Sequence, residues 1–213
     1  MDKEKILKIL IIAILIIFFI IGCSTIYKFF IINKIFNKMQ EYVAIDNYHM
    51  KIIDSDDENG TSEVYYKNGI GKYITSTGIY TWTDGKAAYL INEESKKAQK
   101  ADLDSSLFIS NEFVGSMVPG YSKTLVQKIF LAGALDTSVK VKDYDGIKYY
   151  IITTNENQKK TIWFSYNTLV PSQATIEIGD LKKTYNYEIT FNKVRDVDVE
   201  KPNLEEYTFI NEE

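Results

Sequence analysis

His49 is the single histidine and Cys23 the single cysteine among 213 residues. A nucleophile activated by an imidazole, or a metal held by two imidazoles, therefore has no second partner to draw on within one chain. His49 sits between Tyr48 and Met50 in an extended-looking run and reads as a structural or surface histidine. Asp54, Asp56, Asp57 and Glu58 cluster as calcium ligands can. They lack the central glycine and terminal glutamate of a twelve-residue calcium loop, so a solvated turn is the expectation. Asp180, Asp196, Asp198 and Glu200 are scattered and show no pairing for general acid–base work. The residue types thus point away from an enzyme and call for no metal and no cofactor.

What the chain carries instead is aromatic surface: 16 Tyr, 11 Phe and 2 Trp, with only 3 Pro. That composition is folded and β-leaning. Residues 1–43 hold six lysines against three acids, and the remainder holds 19 basic against 26 acidic residues, a net charge near −7. An acidic domain of this kind has no footprint for nucleic acid.

The elements that would position the aromatics are short Tyr-, Ile-, Val- and Thr-rich runs separated by turn signals at Asn68-Gly69, Asp84-Gly85 and Asp145-Gly146. If Asp84-Gly85 forms the turn, Trp82 faces Ala87 and Tyr80 faces Tyr89. The same arithmetic around Asp145-Gly146 pairs Val141 with Tyr150 and Val139 with Ile152. Tyr185, Tyr187, Ile189 and Phe191 alternate with polar residues, as a strand wet on one side requires. Further strands are expected at 47–54, 62–67, 70–76, 96–101, 160–166 and 172–178, the last opening near Pro171. One mid-chain helix follows Ser122, with Leu125, Val126, Ile129 and Phe130 as its apolar stripe and Gly133 as its stop. The stretch 102–120 before it is too apolar for a solvated linker, because of Leu107, Phe108, Phe113, Val114, Met117 and Val118.

From Ile9 to Tyr27 no residue is charged. As a helix that run is roughly 28 Å long, about the hydrocarbon thickness of a bilayer. Three readings of it stand side by side: an uncleaved anchor, a lipoprotein signal in which Ile20-Ile21-Gly22-Cys23 is the lipobox and Cys23 the lipidated residue, or an ordinary cleaved signal, for which no small-residue cleavage site is present. Beyond it Phe29, Ile32, Phe36, Met39 and Val43 recur at three- and four-residue steps. That periodicity predicts an amphipathic helix covering one face of its own domain. The chain thus divides into residues 1–27, an anchor or signal segment, and residues 28–213, one extracytoplasmic domain.

The run Tyr80-Thr81-Trp82-Thr83-Asp84-Gly85-Lys86-Ala87-Ala88-Tyr89-Leu90-Ile91 resembles the aromatic hairpin of the LolA/LolB lipoprotein-carrier superfamily and its LppX and RseB-like relatives. Trp163-Phe164-Ser165 through Leu169-Val170-Pro171-Ser172 resembles its strand, loop, strand step. Asp198-Val199 through Pro202-Asn203-Leu204 to Tyr207-Thr208-Phe209 resembles its closing segment. The resemblance covers about 30–213. It implies a strongly curved sheet, an open half-barrel closed by helices; with the elements read above, the expected fold is α+β, mainly β: an N-terminal transmembrane helix running on into the amphipathic helix, then a curved antiparallel sheet of about ten or eleven strands with one mid-chain helix. It also implies an apolar cavity for a lipid or acyl chain. The residues expected to face it together are Phe29, Ile32, Phe36 and Met39 from the helix, with Tyr80, Trp82, Tyr89, Tyr185, Tyr187 and Phe191 from the sheet. The chain departs from the carriers in being tethered and in lacking an arginine-bearing mouth, since Arg195 is its one arginine. The expected function is a membrane-tethered extracytoplasmic binding module; the alternative is an envelope sensor or interaction domain with a filled core. The expected partners are the membrane bilayer, a lipid or acyl-chain ligand, or another envelope protein.

Overall fold

The computed structural model describes residues 3–57, 60–101, 117, 123–133, 137–155 and 158–210. The expected cap Ser122, the acid Glu58 and nearly all of 102–120 lie outside the described residues.

Helix α1 spans Lys3–Val43 without a break. Its first half stands clear of the described elements: Ile9 to Ile21 are largely exposed. Its second half is a core element, with Ile31, Ile32, Ile35 and Met39 at most 6 % exposed. Each such side chain contributes about 1.5–3 kcal/mol when fully removed from water, so these four hold the helix to the sheet. The helix ends in a tightened turn, where Ala44 N donates to Gln40 O and Ile45 N to Tyr42 O, before Asp46 adopts a positive φ.

Twelve strands follow among the described residues. They are β1 (Asn47–Asp54), β2 (Thr61–Lys67), β3 (Ile70–Ile74), β4 (Ile79–Thr83), β5 (Ala88–Asn92), β6 (Lys97–Ala101), β7 (Ser138–Tyr144), β8 (Ile147–Thr154), β9 (Lys159–Ser165), β10 (Pro171–Ile178), β11 (Leu181–Phe191) and β12 (Thr208–Phe209). Helix α2, Leu125–Gly133, falls between β6 and β7. The strands form one open sheet in the order β12-β6-β5-β4-β3-β2-β1-β11-β10-β9-β8-β7. It is two meanders, β1–β6 and β7–β11, joined where β1 pairs antiparallel with β11. The outermost pair, β12 on β6, is parallel. This is the mainly β architecture with a long apolar helix that the sequence led to expect.

Directly opposed residues share a face of a sheet. Tyr48 opposes Phe191 and Tyr66, Met50 opposes Ile189 and Val64, and Ile52 opposes Tyr187. With Ile152, Ile162, Phe164 and Ala174 they form the inner face, on which α1 lies. The other face of the β8–β11 wing is lined by threonines, Thr153 on Thr161 and Thr175 on Thr184.

Two turns match expectation. Lys67 pairs Ile70 around Asn68-Gly69, and Val141 pairs Tyr150 and Val139 pairs Ile152 around Asp145-Gly146. In both, the two turn residues have positive φ, as a type I′ turn demands. The third differs. Trp82 opposes Tyr89, not Ala87, and Tyr80 opposes Ile91, not Tyr89. The turn is centred on Gly85-Lys86, with Asp84 N donating to Ala87 O and φ of +78° at Gly85. The Asp84 carboxylate accepts from Lys86 N and Ala87 N, and Thr83 Oγ1 accepts from Gly85 N. These side-chain bonds move the turn one residue along and the register by two.

Helix α2 also departs from the expected pattern. Leu125, Val126, Ile129 and Phe130, the expected core stripe, are exposed, and Lys128, Leu131 and Ala132 are buried instead. Its cap is Thr124, which exchanges backbone-to-side-chain hydrogen bonds with Gln127. Gly133 is its last residue rather than the one after it.

Candidate functional site

The inner face gathers part of the expected set. Ile32 and Met39 are sealed in the core, at 1 % and 0 % exposure, whereas Phe29, Phe36, Tyr187 and Phe191 are half-buried around it. Phe191 stacks on Tyr42 with ring centroids 4.5 Å apart, and Tyr42 Oη donates to Thr168 O at 2.6 Å. Tyr185 opposes Asp54 and Ala174, so it shares this face. Burial pushes the Tyr187 hydroxyl up to about 12.

Two lysines face the same side. Lys128 of α2 places its ammonium over the Phe36 ring, and Lys160 opposes Thr154 and Ile176. Loss of hydration lowers the pKa of both, because a charged ammonium is disfavoured where water is thin. Nothing in the sequence marks either lysine: Lys160 sits in an ordinary alternating strand, and Lys128 occupies what reads as the polar side of α2.

Tyr80, Trp82 and Tyr89 do not join this group. Tyr73 packs against the inner core and opposes Thr81, so Tyr80 and Trp82 on either side of Thr81 point to the outer face. Tyr89, opposite Trp82, goes with them. The physical reason is the β3–β4 connection, Thr75 to Gly78, which carries no two-residue turn signal and whose length sets the parity of β4 and of the strands that pair onward from it, β5 and β6.

There the three aromatics meet Ile91, Ala98, Leu204 and Tyr207 in a second cluster beneath the C-terminal segment. Trp82 Nε1 donates to Val199 O at 3.0 Å. Tyr207 and Tyr80 donate their hydroxyls to Glu93, at 2.7 and 3.2 Å, and Lys96 Nζ lies 2.9 Å from the same carboxylate. These bonds, the Tyr207 hydroxyl first, hold the Glu93 carboxyl below the usual carboxylate range. Arg195 and Asp198 pair at the start of the segment, and the guanidinium brings the Asp198 carboxyl down to about 2. Beside them a groove of about 400 Å³ is lined by Lys67, Asn68, Ile70, Trp82, Asp196, Val197, Val199, Glu200 and Lys201.

Two of the remaining polar candidates, His49 and Asp54, are held by neighbouring side chains. His49 Nε2 pairs with Glu63 at 2.9 Å and its ring stacks on Tyr65 on the outer face. The Asp54 carboxylate accepts from Asp56 N and pairs with Lys183. Cys23 is exposed on α1.

The structure is thus an open, mostly antiparallel sheet with an N-terminal helix lying across its inner face. No protein-family model and no curated protein matches the sequence. Among solved structures, the chain is similar to an uncharacterized conserved protein from Thermus thermophilus, with a TM-score of 0.55 and 6 % identity over 84 % of this chain and 97 % of that one. Similar at lower TM-scores are a LolA superfamily protein from Nitrosomonas europaea (0.30, 12 % identity, 79 % of this chain and 97 % of that one) and LprF from Mycobacterium bovis (0.42, 8 %, 76 % and 95 %). These are likenesses of fold, and fold alone does not carry function.

Proposed function

We propose that the chain is a non-enzymatic, membrane-tethered, extracytoplasmic binding module whose inner face takes a lipid or another apolar ligand. α1 is its anchor and stays uncleaved. One observation carries the reading: large apolar side chains that pack against the inner-face core, Phe36, Ile52, Tyr73, Tyr187, Ile189 and Phe191, are left only half-buried. A concave, mostly apolar lining with few polar groups is the usual character of a small-molecule site. Lys128 and Lys160 on the same side supply cationic handles for the carboxylate or phosphate of an amphiphile.

The test is photocrosslinking of the full chain in vesicles with a diazirine-bearing fatty acid, followed by mapping of the adducts. Adducts on Phe36, Ile52 or Tyr187 are expected. Adducts confined to residues 6–27 would mean that only the anchor meets lipid, and would overturn the ligand-binding reading.

A second reading, contact with an envelope protein, is favoured by the outer groove, where Trp82, Ile70 and Val199 are rimmed by Lys67, Asp196, Glu200 and Lys201. An aromatic floor with a charged rim is the anatomy of a protein contact.

A further inference from the structure

Helix α2 turns its apolar stripe the wrong way for a soluble domain. Leu125, Val126, Ile129 and Phe130 are 59, 61, 44 and 74 % exposed, while Lys128 is 5 % exposed. A contiguous apolar face of this size is costly in water and marks a surface with a partner.

The position of α2 says which partner. A β-carbon on Gly133 would lie 3.4 Å from Thr25 Cγ2, so the end of α2 touches α1 two residues before the charge-free run closes at Tyr27. The Lys128 ammonium lies over Phe36, farther along α1. The two helices therefore run in opposite senses, and α2 descends toward the end of α1 that reads as membrane-spanning. Phe130, three residues before Gly133, sits about 4.5 Å from the level of that contact. At the same level α1 itself exposes Ile26, Tyr27 and Phe30. Tyr and Phe at the end of an apolar run are characteristic of the headgroup boundary. Lys28, the first charge after the run, donates to Thr137 O at 2.8 Å, tying the chain just after α2 to the same level.

We propose that α2 is a membrane-contacting helix: its Leu125–Val126–Ile129–Phe130 face meets the headgroup region of the leaflet that α1 enters, Phe130 deepest and Leu125 outermost, and the domain rests on the bilayer rather than hanging from it. The inference builds on the tethered reading of α1. It sets the inner face, to which Lys128 and Ala132 belong on the opposite side of α2, directly beside the lipid surface.

The experiment uses the full chain in phosphatidylcholine–phosphatidylglycerol vesicles, in a Cys23→Ser background with one engineered cysteine carrying an environment-sensitive fluorophore. Phe130→Cys and, independently, Val126→Cys report on α2, Ile16→Cys reports on the anchor, and Gln40→Cys, roughly 20 Å past Tyr27 along α1, reports on water. The expected result is a blue-shifted emission at positions 130 and 126 that is quenched by lipid nitroxides near the headgroup. Position 16 should be quenched by nitroxides deep in the chains and position 40 by neither. Labels on α2 that behave like position 40 while position 16 is quenched would overturn the proposal and leave the tether standing. Blue-shifted but unquenched α2 labels would mean that protein covers the face, from residues 102–122 or a second copy, and would overturn it equally. An unquenched position 16 would overturn the tether and this proposal together.

Discussion

Trp82 separates a structural role on the outer face from a ligand role on the inner one. It is 2 % exposed, stacks near Tyr89 and donates its indole N–H to the carbonyl of Val199, itself only 3 % exposed. Trp82→Phe keeps an aromatic ring but strands that carbonyl, which costs about 1–3 kcal/mol. For a domain of this size such a loss lowers the melting temperature by roughly 2–12 °C. Trp82→Ala adds a large cavity and should cost about 3–5 kcal/mol, a substantial fraction of a typical folding free energy. The assays are near-ultraviolet circular dichroism of the full chain in micelles as temperature rises, and limited proteolysis of the segment after Val194. Both variants should expose that segment, while the crosslinks to Tyr187 and Phe36 persist in the Phe variant. A Trp82→Phe protein that melts with the wild type and keeps its C-terminal segment protected would refute the argument. Loss of the inner-face crosslinks in a folded Trp82→Phe protein would refute the assignment of faces.

Acid should release the same segment. Glu93 and Asp198 have folded pKa values held below their ordinary ones, so the stability they add is present above the unfolded carboxylate range and is lost as pH falls, from about pH 4.5 toward pH 2. Proteolysis of the C-terminal segment followed against pH should show that transition, and Glu93→Gln should leave the segment accessible at neutral pH. Gly85→Val places a β-branched residue at φ +78° and should cost roughly 1 kcal/mol or more, read as a lowered melting temperature; an unchanged one would mean the turn lies elsewhere. With α1 uncleaved, the protein keeps its mass of 24.6 kDa and takes up no palmitate analogue, whereas labelling that vanishes in Cys23→Ala would establish the lipoprotein reading instead.

Much of the fold is local physics and so was legible in the chain. The uncharged run from Ile9 to Tyr27 and the periodic stripe from Phe29 to Met39 specify one helix with two environments, because helix periodicity is written in adjacent residues. Asn68-Gly69 and Asp145-Gly146 specify their hairpins and registers, because positive φ at two successive positions leaves few alternatives. Strand β1 begins and ends at the expected residues, and Pro171 opens β10 as a residue without an N–H should.

What only the tertiary structure decided is which faces meet. Gly85-Lys86 rather than Asp84-Gly85 forms the third turn because two side chains, Asp84 and Thr83, compete for the backbone there. Tyr80, Trp82 and Tyr89 have the same alternation as Tyr185, Tyr187 and Phe191, yet they lie on opposite faces of the sheet. Period-two patterning says that two residues share a side of one strand, and the lengths of the intervening connections say which side that is in the next. The stripe on α2 shows the same limit from the other direction. Its periodicity announces an apolar face, but an apolar face is satisfied by a core and by a bilayer alike, and only the packing of α2 on α1 shows this one turned outward.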